Sequence, residues 1–169
     1  MASAIMKDLR AKSDAAWANL TRQLQGIEPH MERSDAPGEW TTRQVLSHLL
    51  FEPGWSVVDY LKKFSEVEFP PSEITPGVFT MTDERRRMTL RQFVEALDAQ
   101  RRSVFAYIEG LAEADLERRK SRVPFLKQFA GTDEIPIAVL VSALFDGHWH
   151  DHAGQLAKIR KVVGLPEAR

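Results

Sequence analysis

Between Pro136 and Gly164 the chain repeats apolar residues at three- and four-residue steps, the spacing of one helix face. That face is interrupted by polar groups in the turns holding His148, Asp151, His152 and Gln155. With His148 at zero and about 100° per residue, Ile137, Leu144, His152, Ile159 and Val162 fall within about 80° of it. A stripe of this kind faces a core, where polar groups cost free energy unless they are paired or coordinate something. His148 and His152, at i and i+4, project from adjacent turns and can both reach one cation, whereas His150 lies about 200° away and should face outward. Pro136 suits a first-turn position, Gly164 a C-terminal cap and Pro166 a stop, so a helix is expected near residues 136 to 163.

The same period marks three more helices. Ile5, Leu9, Trp17, Leu20, Leu24 and Ile27 predict one near residues 3 to 27, ended by Gly26 and Pro29. Thr41-Thr42-Arg43-Gln44 has the spacing of a capping box and should open a second, near 41 to 64, kinked in its middle by Pro53-Gly54. Thr89-Leu90-Arg91-Gln92 repeats that spacing and starts a third, near 89 to 110. Residues 68 to 87 read as a long connection of the kind that shapes a site, and 111 to 134 as an irregular segment. Nothing reads as a sheet, so the expected fold class is all-α: one domain over residues 1 to 169, a four-helix bundle with long loops between its helices.

Composition narrows the chemistry. The 169 residues carry 23 Lys plus Arg against 24 Asp plus Glu, a formal charge of -1 that draws neither phosphate backbones nor anionic lipid. Nucleic acid and membrane are therefore set aside as partners, and the run Arg85-Arg86-Arg87 reads as solvated surface. The amino-terminal MASAIMKDLRAK has no apolar h-region, which makes the cytoplasm the expected compartment. Cysteine is absent, which excludes disulfides, thiolate ligands and a cysteine nucleophile; thiol chemistry would have to import its thiol.

On the second helix His48 shares a face with Val45, Glu52 and Trp55, again a polar break in a stripe that should be buried. Two readings follow. His48, His148 and His152 supply three nitrogen ligands of an open divalent site, or they are three core histidines each satisfied separately. Glu52, one turn after His48, can orient a ligand, act as base or complete a metal shell, or simply be solvated. Asp151 and Gln155 flank the last-helix histidines as groups that would support the ligands or contact substrate, with interhelical hydrogen bonding as the plainer alternative. Arg101 interrupts the third helix's stripe and can bind a ligand carboxylate or pair with an acid. Trp55 and Trp149 read as packing.

The segments Trp40-Thr41-Thr42-Arg43-Gln44-Val45-Leu46-Ser47-His48-Leu49 and His148-Trp149-His150-Asp151-His152-Ala153-Gly154-Gln155-Leu156 resemble the second-helix and last-helix signatures of the DinB-like (YfiT-like) superfamily. The resemblance implies a four-helix bundle, usually a homodimer, that binds a divalent metal, often zinc or nickel, through His48, His148 and His152. It also implies chemistry on small-molecule substrates with low-molecular-weight thiol cosubstrates, as in mycothiol-dependent isomerases and in bacillithiol or glutathione transferases. Ala153 stands where relatives often have arginine, so no role is carried over from that arginine. Two classes of function are expected: a metal-dependent enzyme, a thiol S-transferase, isomerase or hydrolase, that activates a thiol or water, or a noncatalytic bundle whose metal is structural or senses a ligand.

Overall fold

Five helices open on a serine or threonine hydroxyl that accepts the backbone N–H three residues on, which satisfies a donor the helix itself cannot. In the computed structural model, which describes residues 3–169, these are α1 (Ala4–Leu24), α2 (Thr42–Leu49), α3 (Val57–Lys62), α4 (Asp83–Arg87) and α5 (Leu90–Glu109). At Thr41 and Thr89 the box is complete, because Gln44 and Gln92 each accept the cap residue's own N–H at 2.8 Å. Then follow α6 (Glu113–Arg118), β1 (Lys120–Arg122), α7 (Lys127–Ala130), β2 (Glu134–Pro136), α8 (Ile137–Ser142) and α9 (His148–Val162). Met1 and Ala2, the first residues of the expected domain, lie outside the described residues.

The bundle is all-α in its main elements. α1 packs on α8, α9 and α5, while α2 packs on α9 and α5. Side chains from all of these meet in one core, where Leu20, Leu46, Leu97, Ile108 and Trp149 are buried. Trp149 lies against Trp17 and Phe145, with ring centroids 5.4 and 5.2 Å away. Gly164, with φ of 77°, supplies the left-handed turn that ends α9 as its sequence position implies. No helix among the described residues is long and apolar enough to cross a membrane.

Three expectations are corrected. The second helix does not kink at Pro53-Gly54 but stops: Phe51 takes φ of 60°, Gly54 takes φ of 79°, and the chain restarts at the Ser56 cap of α3. A small sheet exists where none was expected, with β1 and β2 antiparallel and Ser121 opposite Ile135. Three residues per strand are too few to display the alternation that reveals a strand in sequence. Finally, the arginine run is not all solvated surface. Arg86 and Arg87 are exposed, but Arg85 points inward and is only 7% exposed.

Candidate metal centre

His48 ends the last full turn of α2, and His148 and His152 occupy the first two turns of α9, so the packing of α2 on α9 sets one imidazole against two. The Nε2 atom of His148 lies 2.8 Å from that of His48 and 3.1 Å from that of His152. Three imidazole nitrogens bound at tetrahedral zinc would sit about 3.3 Å apart, given bonds of about 2.0 Å, so these two separations are within about half an ångström of what one ion requires. Before α9, residues Ala143–Gly147 form a π-helical turn continuous with both α8 and α9.

The far sides of the rings decide what the near sides offer. His48 Nδ1 donates to the carbonyl of Val78 at 2.5 Å, and His152 Nδ1 lies 2.9 Å from Gln155 Oε1. A carbonyl oxygen only accepts, so Nδ1 carries the proton of neutral His48 and its Nε2 presents a lone pair; Gln155 selects the same tautomer for His152. His148 Nε2 then faces two lone pairs and can donate to only one of them. The set is one donor short, and a cation that accepts all three lone pairs satisfies the three Nε2 atoms, with the His148 proton then on Nδ1, which is buried without a hydrogen-bond partner. Protonation is a poor substitute. Burial, then the neighbouring His152 and His48, pushes His148 down to about 3, and burial lowers His48 and His152 as well. One nitrogen from each of His48, His148 and His152 lies within 4.8 Å of the other two, a grouping that could hold a metal ion.

The three histidines line a cavity of about 970 Å³. Its walls are largely aromatic and apolar, including Trp40, Phe51, Trp55, Phe79, Phe125 and Phe129, and its charged lining residues are Glu52, Glu73, Asp146 and Asp151. No lysine or arginine is part of that lining. Residues 73 to 80, from the long connection, form one wall: Val78 holds His48, and Glu73 accepts from the Trp55 indole at 2.9 Å.

The site residues expected from sequence separate into two groups. His48, His148, His152, Glu52 and Asp151 come together at the cavity. Glu52 is exposed at its edge and accepts a hydrogen bond from the Thr80 hydroxyl. Gln155 is not in the lining and instead fixes the His152 ring. Arg101, expected to meet a ligand carboxylate, is not in the lining either; its guanidinium pairs with Asp14 at 2.5 Å and Asp98 at 3.3 Å, with its central carbon 5.5 Å from the Trp17 ring centroid. An acid on the adjoining α1 lies within reach, so the arginine is spent on the α1–α5 seam. His150 faces away as expected, its Nδ1 3.0 Å from the Asn19 amide.

Sequence reasoning missed Trp40, whose ring lies 4.9 Å from that of His48 and stacks parallel to that of His152 at 6.1 Å. Its position one residue before the Thr41 cap was the available signal, because a residue there is carried to the start of α2 and over the bundle end. The Val78 carbonyl gave none, since every residue has one.

No curated protein and no solved structure matches the chain. A family model, that of the DinB superfamily, matches residues 6–155, a span that takes in α1 through the Gln155 turn of α9 and with it all three histidines. The chain therefore belongs to the DinB superfamily.

Proposed function

We propose that this protein is a divalent-metal-dependent enzyme in which His48, His148 and His152 hold zinc or nickel and an exogenous thiol, or failing that a water, is activated toward a small apolar electrophile. The observation that carries the reading is the cavity: the three Nε2 atoms converge at its wall rather than in a sealed core. Imidazole donors suit zinc and nickel over calcium and magnesium. Bound there, the ion would act as a Lewis acid that lowers the pKa of a coordinated thiol or water. The chain has no cysteine, so the nucleophile comes from outside.

The protein's own residues supply the rest. Val78 and Gln155 keep the Nε2 lone pairs of His48 and His152 directed inward. Trp40 covers two of the rings and keeps water from that side. Glu52, held by the Thr80 hydroxyl, is the carboxylate placed to accept a proton from an incoming nucleophile, and Asp151 lines the same cavity. Walls of aromatic groups and carboxylates, without a lysine or arginine, favour an uncharged thiol and an apolar partner over a polycarboxylate thiol. The homodimer implied by the family is part of the proposal, supported by the apolar surface at Phe129 and Val139, which are 86% and 40% exposed.

The deciding experiment loads metal-free protein with zinc or nickel and screens paired thiols and electrophiles, with hydrolysable esters alongside. Activity that chelation abolishes, metal restores and His48→Ala lacks is expected. Metal-loaded protein no more active than His48→Ala across the screen would turn the assignment to a noncatalytic bundle.

A further inference from the structure

Two arginines are buried, Arg85 and Arg160, and neither has a carboxylate partner among the described residues. Both spend their donors on backbone carbonyls instead. Arg160 ties the carbonyls of Gln23 and Gln25, at the C-terminal end of α1, to Pro166 near the C-terminus, far along α9 from the histidines. Arg85 does something else. Its Nη1 donates to the carbonyl of Ser47 at 3.0 Å, to the Ser47 hydroxyl at 3.1 Å and to the carbonyl of Thr80 at 3.0 Å, while Nη2 donates to the carbonyl of Phe51 at 2.6 Å.

These acceptors belong to two chain segments that meet at His48. Ser47 immediately precedes His48, and Phe51 closes the turn after α2 in its left-handed conformation. Thr80 lies two residues beyond Val78, whose carbonyl receives the His48 Nδ1 proton. The Ser47 hydroxyl completes the link by donating to the Thr80 carbonyl at 2.7 Å. One guanidinium therefore binds the helix that carries the ligand to the strand of loop that orients it. A cation also suits this place because the last carbonyls of α2 have no N–H partners within the helix.

We propose that Arg85 is a positioning residue of the three-histidine site: it holds the Val78 carbonyl on His48 and so fixes the direction and tautomer of the His48 lone pair. The inference rests on the metal reading above. Lysine cannot replace it, since a single ammonium does not span acceptors on Phe51 and Thr80 with a planar fork.

The test measures zinc affinity by competition with a chromophoric chelator, and the visible absorption of the cobalt(II)-loaded protein, for wild type, Arg85→Lys, Arg85→Met, Ser47→Ala and Arg160→Met. Loss of the outer partner of a ligand histidine weakens binding by about tenfold or more. Arg85→Lys and Arg85→Met should show that loss together with a changed cobalt spectrum, and Ser47→Ala a smaller change in the same direction. Arg160→Met, which removes a comparable pin elsewhere, should keep the wild-type affinity and spectrum. Should both Arg85 variants fail to fold, Ser47→Ala decides on the same two readouts. Wild-type values in the folded Arg85 variants, or an equal loss in Arg160→Met, would overturn the inference while leaving the metal reading standing. Wild-type protein that takes up no ion would overturn both.

Discussion

His148 Nε2 lies 2.8 Å from His48 Nε2 across 100 residues of chain, so neither ring can move without changing the other's surroundings. His150, only two residues from His148, shares none of this and meets Asn19 at the surface. Removing a converging ring should therefore cost the ion: His148→Ala and His152→Ala should purify with metal well below one equivalent, while His150→Ala retains the wild-type content. Elemental analysis of the three proteins, purified alike, checks this, and equal content in all three would remove the basis for the site.

Acid should act on the same rings. In the folded protein His148 lies at about 3, and His48 and His152 are also lowered, whereas an unfolded chain titrates near 6.5. Below that value the unfolded state binds more protons than the folded one, so the stability that neutral His148 contributes is full above about pH 6.5 and falls away toward pH 3. Urea midpoints of the metal-free protein should decline through this window, and more steeply than those of metal-free His148→Ala. Because the rings resist protonation, zinc release should begin below the ordinary histidine range; parallel declines for the two proteins would contradict the assignment.

Trp149 tests the core beneath the site. It is 1% exposed and touches Trp17 and Phe145, so Trp149→Ala should cost about 3–5 kcal/mol by chemical denaturation. His150→Ala next to it, on the outer face, should change stability by less than about 1 kcal/mol.

Glu52→Gln separates the proton transfer proposed for this carboxylate from metal binding. The amide keeps an oxygen for the Thr80 hydroxyl but no longer takes a proton at neutral pH, so kcat should fall by about 10²-fold or more. Zinc content should be unchanged. Unaltered kcat would assign the carboxylate to structure alone.

Much of this was legible in the sequence, for identifiable reasons. Thr41 with Gln44 and Thr89 with Gln92 mark helix starts because capping is a local interaction between residues three apart. The histidines were legible because each broke an apolar period. What escaped depends on contacts that local pattern does not encode. Arg85 looks like its exposed neighbours Arg86 and Arg87, and only the approach of Ser47, Phe51 and Thr80 turns it inward. Arg101 broke a stripe much as the histidines did, but its partner, Asp14, belongs to a different helix. Pro53-Gly54 announced a disturbance without saying that Phe51 would already have ended the helix.

The π-helical turn at Ala143–Gly147 sits between the apolar seam of α8 and the histidines of α9. Such a turn holds one more residue than an α-turn would, so it acts as a vernier between two gratings: the seam can stay engaged with α1 while the histidine face is rotated independently toward α2. Deleting a single residue there would restore a regular helix and swing the imidazoles about 100° relative to the seam, carrying Trp149 and Leu156 with them, so that the ligand face and the buried face of α9 could no longer both be seated.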